Sequence, residues 1–156
     1  MVVLDEITLI NAPIERCFDL SRSIDLHVES TARTSERAVA GVTSGLIGLG
    51  EQVTWRAKHF GVWQKFASEI TALDRPKYFQ DKMIRGAFRF FEHDHFFVEI
   101  DAETTEMRDV LRFAAPVPLI GWIAEIFLRP YMSGFLRERN KVIQEAAEGE
   151  DWRRFV

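Results

Sequence analysis

Cysteine is nearly absent from this chain of 156 residues, in which Cys17 is the single thiol. One thiol cannot form a disulfide within the chain, so the fold depends on its core, and we expect a reducing, cytoplasmic location. Asp5 and Glu6 lie near the start with no basic residue before them, a pattern that does not match a signal peptide.

Long hydrophobic runs are also missing. The longest, residues 117–128, is too short to span a bilayer and is interrupted by Glu125, so we expect no stable membrane insertion. The net charge of −4 and the lack of a basic stripe argue against nucleic-acid binding. The glycines of residues 45–50 do not have the spacing of a dinucleotide loop, and we expect no cofactor.

Aromatic residues are plentiful but unevenly distributed among types. Thirteen Phe and four Trp stand against two Tyr, which means much large apolar surface without hydroxyl groups. With 47% hydrophobic and 28% charged residues, the chain has an ordinary globular composition. We expect one domain spanning residues 1–156, long enough to enclose a substantial core.

The pattern of apolar residues predicts an α+β fold. A strand at residues 2–12 is followed by two short helices, at residues 14–20 and 23–31, the second capped by Ser23. Six strands without intervening helices should then pair as an antiparallel meander. They are predicted at residues 36–41, 51–60, 61–73, 78–84, 88–100 and 104–113.

The last part of the chain predicts a helix that covers this sheet. Apolar residues recur at helical spacing from Leu128 through Phe135 to Ala146. Pro130 interrupts the pattern, so we expect a short helix at 119–128, a break or kink, and a main helix at 130–147. The first piece is apolar on several sides. It either plugs a cavity or contacts a second subunit or a membrane surface, which leaves a homodimer open.

Three stretches resemble the START/Bet v 1-like (SRPBCC, helix-grip) superfamily, in particular its bacterial ligand-binding branch related to polyketide cyclases. They are ITLINAPIERCFDL at residues 7–20, FQDKMIRGAFRFFEHDHFF at 79–97 and TEMRDVLRFAAPVPLIG at 105–121. The resemblance implies the order β-α-α-β(6)-α and a curved seven-stranded antiparallel sheet around a long C-terminal helix. It also implies a deep apolar cavity for a small hydrophobic ligand but no particular reaction.

Strand alternation selects the candidate residues of this cavity. If the apolar members of each strand face the helix, Asp81 and Asp109 face inward with them and need a partner. His93 or His95 on the intervening strand is that partner, unless a bulge near residues 92–94 turns one of them outward. The expected ligand-binding residues are Trp55, Trp63, Phe79, Asp81, Met83, His95, Met107, Asp109, Phe135 and Arg139.

Several of these residues have two interpretations. A His–Asp pair between strands is either a structural contact or the polar end of a pocket. Arg139 either pairs with a carboxylate or anchors an acidic head group. His93 and His95 lack an accompanying metal signature, so no metal site is predicted, and His27 and His59 are expected at the surface.

Two functions follow from these patterns. The first is binding or transport of a small hydrophobic molecule, such as a lipid, an aromatic or a polyketide-like compound, without catalysis. The alternative is a cyclase-, dehydratase- or hydrolase-like enzyme that uses the inward histidine and carboxylates.

Overall fold

The elements of the fold are described by a computed structural model for residues 1–116 and 121–156. The strands are β1 (Val2–Ile10), β2 (Arg37–Gly41), β3 (Gln52–His59), β4 (Val62–Asp74), β5 (Tyr78–Arg85), β6 (Phe90–Asp101) and β7 (Thr104–Ala114). The helices are α1 (Ile14–Ser21), α2 (Ile24–Ser30) and α3 (Gly121–Glu148), with short 3₁₀ helices at Ala32–Thr34 and Asp151–Arg154. This confirms the predicted α+β order.

The strands form one antiparallel sheet. Over the described residues, seven strands pair in the order β1-β7-β6-β5-β4-β3-β2. The meander from β2 to β7 follows the chain, and the first strand closes against the last one. Strands β1 and β2 are the two edges of the sheet, and helices α1 and α2 connect them. These are the two predicted short helices.

Local sequence explains where the short helices start. Pro13 immediately precedes α1, at a place where its missing N–H costs no helical hydrogen bond. The Ser23 side chain accepts a hydrogen bond of 3.2 Å from the backbone N–H of Leu26, so Ser23 caps α2 as predicted.

Helix α3 is continuous over its described length, so a break at Pro130 and the division into two helices are wrong, while a kink there stays a prediction. Residues 121–148 are helical throughout with Pro130 inside. Proline deprives the carbonyl of Ile126 of its usual donor, but both residues lie on the exposed side of the helix, where water can replace that donor. Residues 119 and 120 of the predicted short helix lie outside the described residues.

The strand alternation of β6 resolves the orientation of its two histidines. Register with β7 runs unbroken from Phe90 to Glu99, so no bulge occurs near residues 92–94. His93 and His95 are both buried on the helix side, whereas Val98 is exposed on the other face. Both imidazoles therefore point into the space between sheet and helix.

The apolar core divides into two clusters. The larger packs α1, α2 and the end of α3 around Phe18, Phe79 and Phe97. The smaller lies between β1, β7 and the middle of α3, around Phe113 and Leu136. Among the described helices, none is both long and apolar enough to cross a membrane.

An ion pair between α1 and the β4–β5 turn gives a pH-dependent contribution to stability. Arg75 donates two hydrogen bonds, of 3.1 and 2.7 Å, to the Asp19 carboxylate, and Arg22 donates another of 3.0 Å. Burial works against the charge of Asp19, but these bonds outweigh it and lower its pKa. Because the folded pKa lies below the unfolded one, the carboxylate stabilises the fold above the unfolded pKa, and this is lost as pH falls through the folded pKa.

We therefore expect Asp19→Asn to lower the free energy of unfolding by about 1 kcal/mol at neutral pH, a small value because Arg75 is partly exposed. The deficit should be constant from about pH 7 to about pH 5 and should shrink as the pH falls from about 5 to about 2. Urea unfolding at several pH values measures it. A deficit that stays constant down to about pH 2 would show that the ion pair is not its cause.

Candidate functional site

A cavity of about 390 Å³ lies between helix α3 and the inner face of the sheet. Most of its wall is apolar and is contributed by both helices and strands. The apolar lining includes Ile24, Ile47, Val53, Trp55, Phe79, Phe91, Leu111, Phe135 and Leu136. The space is therefore not filled by the abundant aromatic side chains, as a solid core would require.

At one end, the cavity is bounded by a cluster of charged and polar side chains around Asp109, which we call the Asp109 cluster. This residue, on β7, is completely buried. Helix α3 contributes Asn140, whose side-chain amide donates to Oδ2 of Asp109 over 2.9 Å, and Arg139, which donates to Oδ1 over 3.3 Å. Arg139 also donates to the Asn140 side chain and to the backbone carbonyl of Ser21.

Strands β5 and β6 add three residues to this cluster, and all three border the cavity. His93 Nε2 lies 2.9 Å from Oδ1 of Asp109, and His95 Nε2 lies 2.8 Å from Oδ2 of Asp81. His95 Nδ1 is 3.0 Å from Oδ1 of Asp109 but is poorly aligned for a hydrogen bond, so this contact is mainly electrostatic.

The cross-strand register produces this arrangement. Asp81 lies opposite His93, and Asp109 lies opposite His95, while each imidazole reaches diagonally to the other carboxylate. The His93 and His95 rings lie with their centroids 3.8 Å apart. Phe79 stacks on His95 from the other side, with centroids 4.0 Å apart, and restricts its ring orientation.

Both carboxyl groups remain ionised in this buried setting. Burial by itself would raise the pKa of Asp109, but the charge of Arg139, the hydrogen bond with His93 and the close contact with His95 hold this pKa well below its ordinary value. Burial likewise opposes ionisation of Asp81, and the His95 hydrogen bond together with nearby positive charge lowers its pKa.

The two imidazoles differ in their affinity for a proton. Burial lowers the pKa of His93, and the charge of His95 adds to this effect. Burial also acts against the charge of His95, but contacts with Asp109 and Asp81 outweigh it and raise the pKa. Contact with both carboxylates explains why His95 has the greater affinity for a proton.

Two further polar pairs border the cavity away from the Asp109 cluster. His27 Nε2 lies 2.6 Å from a Glu36 carboxylate oxygen, and its ring packs on Trp55 with centroids 4.3 Å apart. His59 Nδ1 lies 2.6 Å from the Tyr131 hydroxyl, and burial lowers the pKa of His59. Both histidines, expected at the surface, are half-buried, and each lines the cavity.

No local pattern marked these two histidines. His27 lies on α2, and His59 is the last residue of β3, so neither position alone indicates a cavity wall. The one available signal was the alternation of β3, on which His59 shares a face with Trp55 and Ala57.

Six of the predicted site residues lie on the cavity wall: Trp55, Phe79, Asp81, His95, Phe135 and Arg139. For Arg139, the interpretation as the partner of a carboxylate describes its contacts, since its guanidinium binds Asp109. His93, which the sequence left as an alternative to His95, joins the same wall.

The other four predicted residues do not line the cavity. Trp63 is 47% exposed on the outer face of the sheet, where the Arg56 guanidinium lies 4.2 Å from its ring centre. Met107 is buried in the larger core cluster, and Asp109 lies behind the imidazoles. Met83 lies beyond Lys82, the last residue of β5 that pairs with β6, and is not part of the cavity wall.

The start of α3 does not plug the cavity in the way the sequence suggested. Trp122, Ile126 and Phe127 are largely exposed, and Leu128 is the first residue of the helix to line the cavity. The prediction that this segment plugs the cavity is therefore wrong for residues 121–127. Its contact with a second subunit stays a prediction.

Comparison with known proteins identifies the fold. No family model matches the chain, and no curated protein matches it. Among solved structures, TTHA0849 from Thermus thermophilus is similar with a TM-score of 0.75 and 18% identity, covering 94% of this chain and 97% of that one. The Zhui aromatase/cyclase from Streptomyces sp. R1128 has a TM-score of 0.67 and 13% identity, covering 98% and 94%.

A START superfamily protein from Mycobacterium smegmatis is also similar, with a TM-score of 0.61 and 13% identity over 97% of each chain. Together with the sheet order and the long last helix, these similarities confirm the START/Bet v 1-like helix-grip fold. Identities this low show the fold, and the function has to be argued from the cavity itself.

The buried pairing of Asp109 predicts a large loss of stability when its carboxylate is removed. Asp109→Ala leaves the buried Arg139 guanidinium without its counter-ion and the His93 imidazole without its acceptor. We expect the free energy of unfolding to fall by about 3–5 kcal/mol, measured by urea or guanidinium denaturation.

A matched control is available at the neighbouring residue of β7, whose side chain points to the outer face of the sheet. Asp5 on β1 receives two hydrogen bonds from Arg108 on β7, but both side chains are strongly exposed. Asp5→Ala removes an equally well-formed ion pair and should change stability little. Equal losses in both variants would contradict a special role of the buried carboxylate.

Proposed function

We propose that the chain binds a small, mainly apolar molecule in the cavity beneath α3, with a polar group of that molecule directed at the Asp109 cluster. The observation that carries this proposal is the cavity of about 390 Å³, apolar along most of its wall and bordered at one end by Asp81, His93 and His95. Pockets of about 300–1,000 Å³ with a few converging polar groups are typical of small-molecule sites.

The charges of the Asp109 cluster limit which polar group of a ligand can bind beside it. The Arg139 guanidinium already binds Asp109, Asn140 and the Ser21 carbonyl, so its charge is compensated within the protein. The ionised Asp81 at the wall repels a carboxylate and accepts hydrogen bonds from a donor. A hydroxyl group, such as that of a phenol, suits this end better than an acidic head group.

Aromatic side chains favour a flat ligand. Trp55, Phe79 and Phe135 lie on the cavity wall and present large apolar surfaces. The similarity to a START superfamily protein and to an aromatase/cyclase agrees with an apolar, ring-containing ligand, although those names describe the other proteins.

An enzyme of cyclase or dehydratase type is the second candidate. One observation favours it: His93 and His95 both border the cavity, and each contacts a carboxylate that orients its ring. Oriented imidazoles beside a bound molecule are suited to proton transfer. Incubating the protein with a ligand recovered from its host distinguishes the two, since a carrier returns the molecule unchanged, whereas an enzyme converts it and loses the conversion in His95→Ala.

Filling part of the cavity should weaken binding. Ala57 on β3 is buried and lines the cavity, and Ala57→Phe places an aromatic ring in the space reserved for the ligand. We expect the affinity for 2-naphthol, measured by isothermal titration calorimetry, to fall by about ten-fold or more.

The neighbouring Lys58→Phe adds the same ring to the exposed outer face of the strand and should leave the affinity unchanged. If both variants bind 2-naphthol like the wild type, the ligand does not occupy this cavity.

The polar end of the cavity should give a preference for a hydroxyl group. The wild type is expected to bind 2-naphthol about ten-fold more tightly than 2-methylnaphthalene, which has nearly the same shape, because the hydroxyl gains a hydrogen bond. Asp81→Leu should remove this preference while retaining the binding of 2-methylnaphthalene. Competition with a fluorescent apolar probe measures both affinities, and a preference that survives in Asp81→Leu would place the hydroxyl elsewhere.

A further inference from the structure

We infer that Asp81, His93 and His95 form a binding site for one divalent transition-metal ion at the end of the cavity. One nitrogen of each imidazole and one carboxylate oxygen of Asp81 lie within 4.8 Å of one another. The His-x-His spacing alone carries no metal signature, but the fold places the carboxylate of the next strand beside both rings.

The distances within this group suit ligands of one ion. His95 Nε2 and Oδ2 of Asp81 are 2.8 Å apart. Two ligand atoms at right angles, each about 2.1 Å from a metal ion, are separated by about 3.0 Å. A small movement of these side chains therefore accommodates an ion between them.

The Asp109 carboxylate orients both imidazoles from behind. His93 Nε2 lies 2.9 Å from Asp109, and His95 Nδ1 lies 3.0 Å from the same oxygen. With His93 Nε2 directed at Asp109, His93 Nδ1 retains a lone pair that can bind metal. At His95 the ion would replace the proton that Nε2 donates to Asp81, and the proton that the ring keeps would lie on Nδ1, beside Asp109. Metal-binding histidines commonly make this contact with a carboxylate through their other ring nitrogen.

The charges around the group agree with a bound cation. Arg139 and Asn140 are committed to Asp109, which leaves the Asp81 carboxylate to balance the ion. Two imidazoles and one carboxylate suit zinc, iron(II) or cobalt(II) better than magnesium or calcium, which prefer oxygen ligands alone.

A metal ion at this site would be within reach of a ligand in the cavity. All three residues border the cavity, so the remaining coordination positions of the ion face the space assigned to the ligand. The ion would bind the polar oxygen of that ligand, which deepens the proposed function. Metal binding can be measured without any organic ligand, so the two proposals can fail separately.

Cobalt(II) is the probe of choice, because its visible absorption bands report coordination by the protein. The full chain is treated with a chelator, dialysed and titrated with cobalt(II), followed by calorimetry with zinc(II). We expect one ion per chain, and we expect His95→Gln and Asp81→Asn each to weaken binding by about 100-fold or more, since ligand loss costs at least as much as loss of an orienting neighbour.

His59→Gln is the matched control, because His59 also lines the cavity but lies outside the group. It should bind cobalt(II) like the wild type. Circular dichroism checks the fold of each variant, and Asp81→Asn, the more conservative change, decides the matter if His95→Gln does not fold. Absence of cobalt(II) binding in the wild type, or binding that persists in Asp81→Asn, overturns the inference.

Discussion

The buried carboxylate of Asp109 connects the last helix to strands β7 and β6 of the sheet. Arg139 and Asn140 of α3 donate to it from one side, and His93 of β6 contacts it from the other. Such a group is costly to bury unless every partner is in place, so the position of α3 and the inward orientation of the imidazoles depend on each other. The rest of the inner surface is arranged around this contact.

This polar contact also accounts for the divided core. Apolar side chains pack above and below it in two separate clusters, and the cavity extends from it towards Leu128 and Tyr131 on α3. Charged groups at the end of the cavity favour a hydrated or ligand-filled space over closure by aromatic rings. The helix therefore roofs a cavity, and its polar residues Arg139 and Asn140 hold the buried carboxylate of Asp109 at one end of it.

Strand alternation in the sequence predicted the strands and brought several residues of the cavity wall to one face. On β6 the run of polar residues at 92–95 between two pairs of phenylalanines left the inward face of the strand open. The unbroken pairing with β7 resolved it, with His93 and His95 both buried on the helix side. On β4 apolar residues occupy both faces, so alternation could not exclude Trp63 from the cavity. Pro130 led to the wrong prediction of two separate helices. Helix propensity describes an isolated helix, whereas α3 is stabilised by its packing against the sheet.

Crystallography can show directly whether a ligand occupies the cavity. Crystals soaked with 6-bromo-2-naphthol allow the bromine to be located by its anomalous scattering. We expect a bromine peak beneath α3 near Tyr131, with the hydroxyl directed at Asp81 and His93. A peak only on the outer surface, or a cavity closed by aromatic side chains, would contradict it.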